Sequence, residues 1–102
     1  MPKLKETTDV PGDFMHYCPG CQGLHLINTQ RKNDKNAQWS FDGNMEHPTF
    51  APSINIDWTP SPSGKKKICH YFIDNGRINY CGDSTHALKG QSVELPEIPE
   101  QY

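Results

Sequence analysis

The stretch His16-Tyr17-Cys18-Pro19-Gly20-Cys21-Gln22-Gly23-Leu24-His25 packs two cysteines, two histidines and two glycines into ten residues. The proline and glycine between the cysteines make a tight turn that aims two thiols at one point, which is half of a tetrahedral metal site. The other half has to come from far along the chain, where Cys69, His70, Cys81 and His86 are the available donors. A redox Cys-x-x-Cys belongs at a strand-to-helix junction, and no helical pattern follows Cys21. The spacing therefore favours Zn²⁺ as cofactor, with Cys18 and Cys21 as its fixed half-site.

A metal also answers a shortage. At 102 residues, only 33% of them hydrophobic, a single domain has a marginal core, while 10% aromatic residues argue against disorder. The amino-terminal run has no signal-like apolar stretch, and no segment approaches the ~20 apolar residues of a membrane span, so a soluble cytoplasmic protein is expected. A reducing compartment favours metal over disulfides. The net charge of −2 offers nucleic acid no attractive field, and Lys65-Lys66-Lys67 reads as a solvated loop.

Short runs of strand character recur at 14–17, 24–27, 38–41, 54–58, 67–73, 77–80 and 91–95, separated by polar or Pro/Gly connectors at 28–36 and 59–64. Asn75-Gly76 marks a hairpin with a type I′ turn. Its register sets Asp74 against Arg77, Ile73 against Ile78, Tyr71 against Tyr80 and His70 against Cys81, so Cys69 faces one way while His70 and Cys81 share the other. The one candidate helix is 84–90, with Ser84 as N-cap and Gly90 as the stop. The expectation is a mainly β fold: a small zinc-stabilised antiparallel domain over 14–96 with a C-terminal hairpin and at most one short helix. Residues 1–13 are expected to form a flexible segment and 97–102 an extended acidic tail.

Cys18, Cys21, His25, Cys69, His70, Cys81 and His86 exceed what one four-coordinate metal accepts. His16 and His47 read as hydrogen-bonded or surface imidazoles. No zincin His-Glu-x-x-His, zinc-deaminase pattern, Gly-x-Ser-x-Gly elbow or P-loop is present.

The blocks YCPGCQGLH, WSFDGNMEHPTFAPSI, CHYFIDNGRINY and GDSTHALKGQSVELP, in that order over about residues 14–96, resemble a family of small phage and prophage proteins often labelled ammonia monooxygenase. That label does not suit a chain without a membrane segment. The resemblance implies a zinc-binding domain, found beside bacterial ubiquitin-like conjugation genes, with a metal- or thiol-dependent peptidase role. It also implies that Cys18, Cys21, Cys69, His25, His70 and His86 match the family pattern, which usually has cysteine at Ser84 and none at Cys81. For a phage-encoded member the location would be the host cytoplasm.

Three functions are then open. The first is a zinc-dependent hydrolase, isopeptidase-like on ubiquitin-like conjugates, with metal ligands from Cys18, Cys21, Cys69, His70 and His86, Glu46 as general base and His25 stabilising the oxyanion. The second is a zinc-stabilised, non-enzymatic phage protein that binds and inhibits a host factor through Trp39, Phe41, Phe50 and Trp58. A zinc-ribbon nucleic-acid binder comes last, against the charge balance. The partner is a protein substrate or a host protein, with no membrane involved.

Overall fold

The computed structural model describes residues 2–33, 35–59 and 64–100. Strands β1 (Lys5–Glu6), β2 (Asp13–Cys18) and β3 (Gly23–Asn28) form one antiparallel sheet. The second is antiparallel in the order β4 (Ser40–Phe41), β5 (Phe50–Trp58), β6 (Lys67–Asp74), β7 (Arg77–Tyr80) and β8 (Ser92–Glu94). The mainly antiparallel β fold with a C-terminal hairpin is the one expected from the strand runs. Most of the 59–64 connector, one residue of the 28–36 loop and the last two residues of the tail lie outside the described residues.

The period of two in β2 joins the sheets. Phe14, His16 and Cys18 are buried on one face, paired across to Ile27, His25 and Gly23 of β3. Phe14 meets Phe41 at 4.9 Å between ring centroids, and Phe41 stacks on Phe50 at 4.7 Å. His16 Nε2 reaches the Tyr71 hydroxyl at 2.7 Å, and Cys18 meets Cys69 and Tyr80. Phe41 and Phe50 thus fill the core and Trp39 is half-buried, leaving Trp58 the exposed one of the four aromatics considered for a binding surface.

The Asn75-Gly76 turn has both residues at positive φ, 49° and 78°, and the hairpin register is the expected one from Asp74–Arg77 to Tyr71–Tyr80. The segment 84–90 is a run of turns instead of a helix, and no helix occurs among the described residues. Its bonds are single turns, Lys89 N–H to His86 O and Gln91 N–H to Leu88 O, and the Ser84 hydroxyl that would cap a helix is spent on β6. The first thirteen residues are tied down more than a flexible segment would be: Lys5–Glu6 pairs with β2, and Leu4 is buried. The Ile98 amide donates to the Pro2 carbonyl, which ties residue 98 to the amino-terminal segment.

His16 is fully buried, and burial, aided by nearby His25, lowers its pKa from 6.5 to about 3. Above pH 6.5 the ring is neutral folded or unfolded. Below it the unfolded chain takes a proton that the folded chain refuses, so this group removes about 1.4 kcal/mol of stability per pH unit down to about 3. Urea unfolding from pH 7 to pH 4 should therefore show a shallower loss for His16→Gln, which can still bond Tyr71 but cannot titrate; parallel curves would contradict this account.

Candidate active site and metal centre

Successive residues of β6 point to opposite faces, so Cys69 enters the core while His70 looks outward. Two groups of chemically able side chains result.

On the inner face, ligand atoms of Cys18, Cys21, His25 and Cys69 lie within 4.8 Å of one another, so this cluster could hold a metal ion. The knuckle places the first two: Gln22 N–H donates to Cys18 O at 2.7 Å, closing the turn, and Cys21 N–H points at Cys18 Sγ at 3.4 Å. Cys18 Sγ and Cys69 Sγ are 3.8 Å apart, the edge of a tetrahedron with Zn–S bonds of about 2.3 Å. The thiols also resist ionising together. A hydrogen bond from Cys69, helped by Tyr80, draws Cys18 down to about 5, whereas burial and then the Cys18 charge push Cys21 up to about 11. Cys69 is pushed up as well, by its hydrogen bond to Cys18 and by burial. A divalent cation bound there would release the remaining protons, so the donor set fits a thiophilic metal.

Two imidazoles border the thiols. His25 Nδ1 bonds the Tyr71 hydroxyl at 2.9 Å, and His16 bonds the same hydroxyl from the other side. His86 Nδ1 accepts the Leu88 N–H at 3.2 Å while its Nε2 lies 3.4 Å from Cys69 Sγ. Its ring also packs edge-on to Tyr80 with centroids 4.6 Å apart.

On the outer face, His70 Nε2 is 3.1 Å from Ser53 Oγ, and His70 Nδ1 is 3.1 Å from both carboxylate oxygens of Asp83. The bulge in β5 builds this contact. Phe50 pairs with Ile73 and Ile54 with Tyr71, so Ala51, Pro52 and Ser53 stand where the partner strand has only Phe72. Two extra residues preserve parity: Phe50 and Ile54 both face inward, and Ser53 and Asn55 face His70's side. The Trp39 indole N–H donates to Ser53 O at 3.2 Å. A surface cavity of about 430 Å³, lined by Ser53, Asn55, Trp39, Pro52 and Lys35 among others, opens beside the serine. A larger one, about 570 Å³, lies over Phe14 and Phe41, and its one carboxylate, Glu6, is engaged by the Gly12 amide.

His70 is fixed from behind. Ser84, buried, accepts its N–H at 3.0 Å and donates to its carbonyl at 2.9 Å, and the Cys81 N–H donates to that same carbonyl at 2.8 Å. His70 and Cys81 do share a face, as the register requires, and His70, Cys81 and Asp83 form a second metal-capable group. Burial and the neighbouring Asp83 raise the Cys81 pKa.

A family model described as bacterial ubiquitination-like system serine protease (BubE) matches residues 3–81. The chain belongs to that family. No curated protein and no solved structure matches it. The family's description overturns the zinc-dependent hydrolase expected from the metal-ligand excess: it is a serine protease family, and the thiols of Cys18, Cys21 and Cys69 lie apart from the strand side that carries Ser53 and His70. Glu46 belongs to neither metal-capable group; it lies in an exposed turn whose backbone is held by Asn44, beside Met45 and Glu97. His25 joins the thiols, His86 borders them, and His70 stands apart from them with Ser53 and Asp83. Nothing in the sequence singles out Ser53 or Asp83, although Asp83 lies only two residues beyond Cys81, which the hairpin register sets beside His70. Membership of the family ties the chain to a ubiquitin-like system and hence to a protein partner or substrate. Among the described residues, no helix is long and apolar enough to cross a membrane.

Gly20 sits under the His86 ring, where an added Cβ would come within 2.4 Å of Cε1. Because Tyr80 and Cys69 hold that ring, Gly20→Ala should cost about 1–3 kcal/mol in chemical unfolding. Most of the loss should vanish in a His86→Ala background; an additive double mutant would disprove the contact.

Proposed function

We propose that the chain is a serine hydrolase that cleaves acyl bonds of ubiquitin-like conjugates, with Ser53 as nucleophile, His70 as general base and Asp83 as the carboxylate that orients it. The observation that carries this reading is the Ser53–His70–Asp83 chain of 3.1 Å contacts. In this arrangement Asp83 keeps the His70 proton on Nδ1, which leaves Nε2 free to accept the Ser53 hydroxyl proton as Oγ attacks the acyl carbon. His70 then protonates the departing group, and water, deprotonated by the same Nε2, releases the acyl chain from Ser53. Asn55, opposite His70 in register and lining the same cavity, offers a side-chain amide to the developing oxyanion.

The inner cluster is read as structural, holding Zn²⁺ through Cys18, Cys21, Cys69 and His25. His25 fits as fourth ligand because its Nδ1–H can donate to Tyr71, whose hydroxyl proton goes to His16, leaving Nε2 for the metal. His86 has its proton on Nε2, since Nδ1 accepts from Leu88, and so acts as donor to the Cys69 sulfur. When bound, the ion would neutralise the thiolates and join the two sheets.

Ser53→Ala should abolish cleavage of a ubiquitin-like fusion, and Asp83→Asn should lower kcat by about 10⁴, both with the zinc equivalent and thermal unfolding unchanged. Normal turnover by Ser53→Ala would refute the assignment. Metal analysis should find one tightly held Zn²⁺, lost with the fold in Cys18→Ser or Cys21→Ser and retained in Cys81→Ser. His86→Ala should weaken binding only about 10–100-fold. A Cys81→Ser protein that loses this ion as readily as the knuckle variants would contradict the ligand set.

A further inference from the structure

The outer face carries a donor group that hydrolysis does not use. Cys81 contributes nothing to the serine chemistry, yet its sulfur, one ring nitrogen of His70 and a carboxylate oxygen of Asp83 lie within 4.8 Å of one another. The three are held by backbone, not by chance contact. The Cys81 N–H bonds the His70 carbonyl at 2.8 Å, the Ser84 N–H bonds the Cys81 carbonyl at 3.1 Å, and the Ser84 hydroxyl clamps both backbone groups of His70. His70 and Cys81 are only partly buried and Asp83 is exposed, so an ion can reach them from solvent. A thiol, an imidazole and a carboxylate at such distances suit a thiophilic divalent cation, with water completing its shell.

We propose that His70, Cys81 and Asp83 form a second, reversible Zn²⁺ site whose occupation switches the hydrolase off. The inhibition rests on the Ser53–His70–Asp83 reading; the site itself does not. The ring nitrogen that faces Asp83 is Nδ1. An ion bound there replaces the proton on Nδ1, and the one proton of a neutral imidazole then sits on Nε2. That tautomer can no longer accept the Ser53 proton, and Asp83, now a ligand, no longer orients the ring. The Cys81 proton is released to solvent as the sulfur binds. The chain therefore has a tight inner site for the fold and a weaker outer one that competes with catalysis for the same histidine.

The test uses the full chain with its inner thiols already loaded with one Zn²⁺. Added Co²⁺ should produce a thiolate-to-metal charge-transfer band in the wild type and none in Cys81→Ser or Cys81→Ala. Phosphonylation of Ser53 by a fluorophosphonate, in which Oγ attacks phosphorus and fluoride leaves, should slow at least about tenfold with added Zn²⁺ in the wild type. In the Cys81 variants, each compared with its own rate before Zn²⁺ is added, it should change less than about twofold. The retained inner equivalent reports that these variants are folded. No bound Co²⁺, or the same band without Cys81, overturns the site. A second metal that leaves phosphonylation unchanged overturns the switch. A chain that the fluorophosphonate never labels contradicts the serine reading, and the Co²⁺ band still decides the site.

Discussion

The structure depends on the alternation of one strand. In β6 the side chain of Cys69 turns into the space between the sheets and that of His70, the next residue, turns out. Pinning Cys69 against Cys18 fixes the position of β6 relative to the first sheet and, with it, the plane from which His70 projects. A slip of one residue would exchange the two faces, putting an imidazole among the thiols and a thiol beside Ser53. The thiol cluster and the proposed general base are therefore kept apart by a single peptide unit.

The segment 81–86 repeats that division. Asp83 reaches outward to His70 and His86 reaches inward to Cys69, three residues apart. Between them Ser84 clasps His70, and Thr85 exchanges hydrogen bonds with Ile68, its amide donating to the Ile68 carbonyl at 2.9 Å and its hydroxyl accepting the Ile68 amide at 3.1 Å. The segment thus lies along β6 as an irregular extension of β7, held by side-chain hydroxyls where regular pairing stops. Because His86 and Asp83 share this short stretch, disorder at the inner cluster reaches the orienting carboxylate through a few covalent bonds. A metal held by the inner cluster would thus steady Asp83 as well, although the proposed chemistry itself needs no metal.

How much of this was legible beforehand follows from what local rules can reach. The knuckle at Cys18–Cys21 and the hairpin about Asn75-Gly76 are local, and both positive-φ turn residues and the facing of His70 and Cys81 could be derived from spacing alone. Ser53 could not. Its place beside His70 depends on a bulge that inserts two residues opposite Phe72, and neither the composition nor the period of β5 announces it. Ser84 misled in the opposite direction, since a serine before a short polar run reads as a helix cap, whereas tertiary pairing with β6 claims its hydroxyl. The metal-capable side chains outnumber what one ion accepts, and although the hairpin register already turns His70 away from Cys69, which of the other histidines stays with the thiols depends on how the two sheets pack. The structure divides them: His25 and His86 border the thiols, and His70 leaves for the serine.

The central claim is that Ser53, re-aimed by the β5 bulge, is the nucleophile activated by His70. Peptide mapping by mass spectrometry after treatment with a fluorophosphonate tests it most directly, in chain whose inner thiols carry metal. The account predicts a single covalent adduct on Ser53, absent from His70→Gln protein. An adduct on Ser84 or another hydroxyl, or modification of Ser53 that persists without His70, would contradict it.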